Sequence, residues 1–272
     1  MKLFVLLNYL VQFDLKMIDN KSLIHESASI ADNVKIGAYT VIDKNVSIGE
    51  GTVIKEHAVI RENTSIGKNN YIYQFATIGE EPQDLKFHDE HTTCTIGNNN
   101  IIREYSSIHR GTKDGISDTK VGNNNLLMAY THVAHDCVIK NDCILSNAAS
   151  LAGHVTLESN VSLGGFTLVH QFCHIGKYAF SGLGTVISQD VTPYTLIAGN
   201  HAKAYKINSE GLRRKNFNVT TIRDLEKCFK IFIKSTKPFE ERLSSFKELK
   251  ISCNHVNSFV DFIVNSKRGI TR

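Results

Sequence analysis

A single aliphatic position sets the rhythm of this chain. Ile24, Ile30, Ile36, Ile42, Ile48, Ile54, Ile60, Ile66, Ile72 and Ile78 recur every six residues without a break. The ladder resumes at Ile96, Ile102 and Ile108. It then runs through Val121, Leu127, Val133, Ile139, Leu145, Leu151, Leu157, Leu163 and Val169 to Ile175. Ser181 interrupts it and Ile187 restores it. Four residues after each aliphatic stands a small or β-branched residue, as at Val34, Thr40, Val46, Thr52, Ala58 and Thr64, and later at Cys137, Cys143, Ala149 and Val155. A six-residue period fits neither an α-helix, at about 3.6, nor a free strand, at about 2. It fits a parallel β-helix in which three hexapeptides close one triangular coil, the aliphatic points inward, and coils stack about 4.8 Å apart.

Two stretches depart from the ladder. Between Ile78 and Ile96 lies the polar run EEPQDLKFHDEHTTCT, and thirteen residues instead of twelve separate Ile108 from Val121, across GTKDGISDT. Loops projecting from a rigid solenoid are natural places for function. Beyond Pro193 the apolar period becomes helical: Ile222, Leu225, Cys228, Phe229 and Phe232, then Phe239, Leu243, Phe246 and Leu249, then Val256, Phe259, Val260 and Ile263. Pro238 fits the start of the second helix and Gly269 the end of the third. The expected organisation is an extension over 1–16, a β-helix over 17–193 with loops at 80–95 and 111–120, and a helical domain over 194–272 that covers the last edge of the prism. The extension carries no small-residue cleavage site, which argues against a signal peptide, and Met17 offers a second initiation point.

Composition narrows the classes. A hydrophobic content of 42% and a charged content of 21% are those of a globular chain. No apolar run approaches the roughly 18 residues of a membrane-spanning helix. Six cysteines form no CxxC pair, so neither a zinc ribbon nor a dithiol motif is present. Cys137, Cys143 and Cys173 fall on the small inward position, where a thiol acts as a small hydrophobe. The net charge of +4 conceals a division: residues 200–272 hold 16 Lys/Arg and 7 Asp/Glu, a balance of +9, and the remainder carries −5. A basic module suits an acidic partner or a phosphate-bearing ligand, although solvated helix faces would carry the same charge.

Histidines crowd into residues 132–174. His135, Gly153 and Gln171 are 18 residues apart and so stack on one corner of the coil. His154 lies one residue past that register, His170 one short, and His132 three residues before His135. Two coils span roughly 10 Å, the size of a small-molecule site. Any one of these residues reads as a surface histidine; a whole corner loaded with them reads as a site. Neutral imidazoles from adjacent coils could hold zinc. Asp136, next to His135, offers the other chemistry: a carboxylate can fix an imidazole's tautomer and raise its basicity, as a general base requires. Whether Asp136 turns back toward the ring is a matter of tertiary structure.

The strings IYQFATIGEEPQDLK (72–86), IHRGT (108–112), VGNNNLLMAYTHVAHDC (121–137), LAGHV (151–155), VHQFC (169–173), AGNHA (198–202) and NSEGLRR (208–214) resemble the UDP-N-acetylglucosamine O-acyltransferases that begin lipid A synthesis. The likeness covers nearly all of residues 17–272. His109 stands where the sister N-acyltransferase typically carries aspartate, and carbonic anhydrases of the same fold lack HVAHDC and EGLRR.

The resemblance implies a left-handed β-helix, against the usual right-handed crossover, and a cytoplasmic homotrimer with active sites between neighbouring prisms. It implies transfer of an (R)-3-hydroxyacyl group from acyl carrier protein to the glucosamine 3-hydroxyl of UDP-N-acetylglucosamine, with no cofactor or metal, no nucleic acid and no stable membrane insertion. His135 is implied as general base beside Asp136, and the Gly153 amide as oxyanion donor. Asp84 and Lys86 match the loop that reaches the sugar and acyl chain, while His132, His154, His170 and Gln171 match the nucleotide-sugar path. Asn208, Glu210, Arg214 and Lys215 match the nucleotide segment. Lys215 replaces the family's usual arginine and Asn216 its usual glycine; lysine keeps the charge but loses the bidentate fork. Leu183, in the coil Ser181-Gly182-Leu183-Gly184, matches the position that acts as the acyl-chain ruler. Two other readings remain open on the sequence: a metal-dependent hydratase, and a non-catalytic scaffold for which the HDC and HRG strings have no obvious use.

Overall fold

The computed structural model describes residues 17–88, 90–251 and 253–272; the extension over 1–16 lies outside the described residues. The hexapeptides fold as a left-handed parallel β-helix of triangular section. Strands, mostly two residues long, stack into three flat faces. The first holds nine strands from Leu23–Ile24 to Val186–Ile187, the second eight from Ser29–Ile30 to His174–Ile175, and the third ten from Lys35–Ile36 to Lys203–Ile207. Each ladder residue pairs with the one a full coil on: Ile24 with Ile42, Ile42 with Ile60, Ile60 with Ile78. The ladder side chains are almost completely buried along the prism, Ile36, Ile54, Ile72, Leu127 and Leu157 among them. Burial of each aliphatic contributes about 1.5–3 kcal/mol, and the repeat supplies one per hexapeptide.

The corners, of which the first joins the third face to the first, the second the first to the second and the third the second to the third, are tight turns through left-handed backbone. Tyr39, Tyr130, Asp136, His154 and Phe172 adopt φ of 59°, 63°, 60°, 62° and 65°. Stacking offsets the strain of that conformation in L-residues. On the first corner the rings of Tyr39, His57, Phe75, Tyr105 and Tyr130 stack face to face, with centroids 5.0–5.2 Å apart. On the third corner a buried asparagine ladder carries the hydrogen bonds: Asn70 Oδ1 accepts from the Asn100 backbone and side chain, and Asn100 Oδ1 accepts from the Asn125 amide. Ser181 keeps its place in the prism by satisfying its hydroxyl, which accepts from Gly164 N–H and bonds Thr167. The thiols of Cys137 and Cys143 are buried and pushed up to about 12 by desolvation, the behaviour of packing groups and not of nucleophiles.

Parallel pairing continues past Pro193, because Phe180–Ser181 pairs with Thr195–Ala198. The free edge of that last strand is covered by Lys203–Ile207, which returns antiparallel to it. A strand, not the helices, therefore closes the edge, since only another backbone can satisfy a row of ladder hydrogen bonds. Four helices follow: α1 (Ser209–Arg214), α2 (Val219–Phe229), α3 (Phe239–Glu248) and α4 (Asn254–Asn265), with one wider turn at Lys230–Lys234 after α2. Pro238 sits at the N-cap of α3, as its fixed φ favours. Gly269 does not end α4, which stops at Asn265 with Ser266 as cap. Its φ of 74° serves a different contact, in which the Gly269 carbonyl accepts from Asp190 N–H and ties the chain end to the prism. No helix among the described residues is long and apolar enough to cross a membrane.

Candidate active site

Both interruptions of the ladder leave the prism between the first and second faces, and so at the same corner. The first lies between strands Thr77–Glu80 and Thr93–Ile96, the second between Ser107–His109 and Asp118–Val121. Continuing along this corner, the left-handed turns at Asp136, His154 and Phe172 follow one another by one coil each. The corner singled out by the histidine spacing is thus the corner at which both loops project.

The turn at Asp136 brings its carboxylate back onto the preceding side chain. Asp136 Oδ2 stands 2.8 Å from His135 Nδ1. An ionised carboxylate only accepts, so Nδ1 carries the proton and Nε2 is left with its lone pair. Asp136 is wholly buried at its side chain. Burial would push its carboxyl up, but bonds from His135, the Thr112 hydroxyl and the Thr112 and Ile116 amides outweigh burial and hold it below the usual carboxylate range. On its other side the His135 ring lies against Gly153, one coil away: a Cβ there would stand 2.6 Å from Cε1 and 2.7 Å from Nε2. Only glycine admits the imidazole so close.

His154 meets His135 edge-on, with centroids 5.0 Å apart, and stacks flat on Phe172 at 4.4 Å. Its Nδ1 is 4.0 Å from Asp136 Oδ2, and burial keeps its pKa below the ordinary value, with Asp136 and Asp84 pulling the other way. The half-buried Asp84 on the first loop therefore lies within electrostatic reach of this corner, and the exposed Lys86 follows it, its amide donating to Asp84 Oδ1. His132 bonds Ser107 through Nδ1 at 2.8 Å and packs edge-on against His109 at 4.9 Å. His170 and Gln171 are exposed; His170 Nδ1 lies 3.3 Å from the Arg268 guanidinium, which reaches the corner from beyond α4. A recess of about 540 Å³ between the prism and α4 opens beside Phe172 and is also lined by His174, Lys177, Phe262 and Arg268.

The remaining candidates lie elsewhere on the chain. Leu183 precedes the left-handed Gly184, whose amide donates to Gly165 in the column of the first corner. It is 77% exposed and separated from His135 by the width of the first face. Asn208 caps α1, accepting from Gly211 N–H, and its side-chain amide donates to the carbonyl of Tyr178 on the third corner. Glu210 pairs with Arg213, and Arg214 and Lys215 are exposed. Asn216 adopts φ 61°, the conformation that glycine favours and asparagine tolerates, so the backbone accepts this departure at little cost. One chain therefore brings together Asp84, His132, His135, Asp136, Gly153 and His154, and carries Leu183 and the 208–215 segment to other corners.

Sequence reasoning passed over Thr112 and Ile116 as contacts to Asp136, and the buried state of His109. The signal for the first was present as the odd spacing after Ile108. For His109 the sequence carries no such signal, because the neighbour of an inward aliphatic ordinarily faces outward, and its burial is seen only in the structure.

A left-handed β-helix carrying an imidazole–carboxylate pair at a loop-bearing corner defines a hexapeptide-repeat acyltransferase. The family described as bacterial transferase hexapeptide matches residues 118–153, the GMPPB C-terminal domain matches 18–83, and UDP-N-acetylglucosamine O-acyltransferase domain 2 matches 190–271. The acyl-[acyl-carrier-protein]–UDP-N-acetylglucosamine O-acyltransferase of Pseudomonas putida is 46% identical over 255 residues, which cover 94% of this chain and 99% of the relative. The structure of LpxA from Acinetobacter baumannii is 41% identical, with a TM-score of 0.91 over 94% of this chain and 100% of that one. That of Arabidopsis UDP-N-acetylglucosamine acyltransferase is 35% identical, with a TM-score of 0.81 over 94% of this chain and 100% of that one. The chain belongs to the UDP-N-acetylglucosamine O-acyltransferase family and is an O-acyltransferase of lipid A biosynthesis.

Proposed function

We propose that this enzyme transfers an (R)-3-hydroxyacyl group from acyl carrier protein to the 3-hydroxyl of UDP-N-acetylglucosamine, the first step of lipid A synthesis. His135 Nε2 takes the proton of the sugar hydroxyl, and the oxygen attacks the thioester carbonyl carbon. The resulting oxyanion is held by the Gly153 N–H, a fixed donor that needs no reorganisation. Collapse expels the carrier-protein thiolate, which recovers the proton from the imidazolium and leaves as thiol. Asp136 holds the imidazole in the required tautomer and stabilises its charged form.

The observation that carries this reading is the 2.8 Å contact between His135 Nδ1 and Asp136 Oδ2 with the opposite edge of the ring against Gly153. The trio His135, Asp136 and His154 also has the composition of a metal site. Asp136 Oδ2, however, already accepts from His135 and from the Thr112 hydroxyl at 2.6 Å, so a metal bound there would have to displace at least one of them. Asp84, Lys86, His132, His154, His170 and Gln171 then contact the sugar, acyl chain and nucleotide path. Asn208, Glu210, Arg214 and Lys215 contact the nucleotide. Because Leu183 and the 208–215 segment lie on corners other than that of His135, a complete site needs neighbouring copies, which favours a homotrimer; the family resemblance supports a cytoplasmic location. The +9 balance of residues 200–272 suits an acidic carrier protein.

The test is turnover of UDP-N-acetylglucosamine with a 3-hydroxyacyl carrier protein by the parent and by His135→Ala. Loss of a general base costs about 10²–10⁴-fold in rate. Activity of the variant within a few-fold of the parent removes His135 as the base.

A further inference from the structure

The loop after His109 disturbs the repeat, and its bonds to Asp136 help to lower that carboxyl's pKa and would compete with a metal for Oδ2. Ile96 pairs with Val121, 25 residues on, whereas Val121 pairs with Ile139, 18 residues on. The added residues fold into one compact turn, in which Gly115 N–H and Ser117 N–H both donate to the Thr112 carbonyl. That turn closes around a single group, the Asp136 carboxylate. Thr112 N–H lies 3.2 and 3.1 Å from its two oxygens, the Thr112 hydroxyl donates to Oδ2 at 2.6 Å, and Ile116 N–H donates to Oδ1 at 2.8 Å. From below, the Asp136 backbone N–H donates to Thr119 Oγ1 at 2.8 Å. Gly115 completes the enclosure: a Cβ at that position would stand 2.2 Å from both Cγ and Oδ1 of Asp136.

A buried carboxylate with one partner could still rotate about its Cβ–Cγ bond. Three donors from one side of the loop fix that rotation and leave Oδ2 facing His135 Nδ1. The imidazole in turn has only one orientation against Gly153. The chain of contact runs from loop to carboxylate to base.

We propose that Thr112 is a positioning residue for acyl transfer and that the 111–117 loop exists to hold the Asp136 carboxylate in register with His135. This rests on the reading of His135 as general base. Thr112→Val removes the hydroxyl donor at nearly constant volume and keeps the backbone N–H. Losing one hydrogen bond to a buried charged group, about 1.5–3 kcal/mol, corresponds to roughly 10–100-fold in kcat when that bond sets the geometry of the base. The KM values for UDP-N-acetylglucosamine and for the acyl carrier protein are expected to stay within about twofold, because the substitution removes a hydroxyl whose contact is with Asp136 Oδ2. Thr112→Ser, which restores the hydroxyl, recovers most of kcat.

Parental kcat in Thr112→Val, or failure of Thr112→Ser to exceed Thr112→Val, overturns the proposal. Gly115→Ala gives a second variant should Thr112→Val fail to fold. It keeps every donor but forces the carboxylate aside, so the same selective loss of kcat is expected, and an unchanged kcat again counts against the assignment. His135→Ala, assayed alongside, separates the two claims. If that variant stays active, the general-base reading fails; if it is inactive while Thr112→Val is unimpaired, the positioning role alone fails.

Discussion

The imidazole of His135 rests directly on the backbone of Gly153, with Nε2 only 2.7 Å from where a β-carbon would stand. Base and proposed oxyanion donor are therefore held together by the stacking of two consecutive coils, not by a flexible loop. Gly153 has a φ that other residues can adopt, so a side chain there is excluded by contact and not by backbone strain. Gly153→Ala is expected to leave the prism folded and to displace the ring by the order of 1 Å, a misplacement worth about 100-fold in kcat. Melting temperature and kcat, measured together, check this; parental kcat would show that the close approach is not needed.

His109 gives the fold an acid sensitivity. It is 4% exposed, its Nδ1 has no hydrogen-bond partner among the described residues, and burial pushes its pKa down to about 4. Above pH 6.5 the ring is neutral in both folded and unfolded chains and costs nothing. As pH falls below 6.5 the unfolded chain takes up a proton that the native state refuses, so stability is lost until about pH 4. Between pH 7 and pH 5 this single group accounts for about 2 kcal/mol. His109→Phe should flatten the slope by about that amount in denaturant unfolding at the two pH values. His132 and His154, also held down by burial, act in the same direction, so the slope is reduced and not abolished. A slope as steep as the parent's would assign the sensitivity to other groups.

Leu183 projects from the first corner with Gly182 and Gly184 on either side and its Cδ1 within 3.5 Å of where a Cβ on Gly165 would stand. In the ruler role it blocks volume that several methylenes would otherwise fill, each worth about 0.8 kcal/mol of burial. The enzyme is then expected to prefer shorter 3-hydroxyacyl chains than relatives bearing glycine, and Leu183→Gly to shift the optimum toward longer ones. Comparing kcat/KM across a chain-length series decides it, and an unmoved optimum in the variant refutes the assignment.

Much of this molecule is written in its spacing. In a β-helix each residue's place follows from its position modulo one coil, so the run of isoleucines specifies the core, the faces and their register with no knowledge of distant contacts. The stacking of His135, Gly153 and Gln171 follows from the same arithmetic. The arithmetic stops where the coil length changes. Counting ladder positions still puts both insertions at one corner, but that the second closes on Asp136 depends on hydrogen bonds between residues twenty or more positions apart, for which the sequence carries no period. The same limit applies beyond Pro193: the antiparallel strand that covers the sheet edge, the end of α4 at Asn265 and the use of Gly269 against Asp190 are settled by which backbone groups need partners. The sequence alone determined the prism and the corner where chemistry belongs. The tertiary structure decided which side chains on that corner touch, and it set the 208–215 segment against the corner at Tyr178, because the chain beyond Pro193 no longer follows the six-residue period.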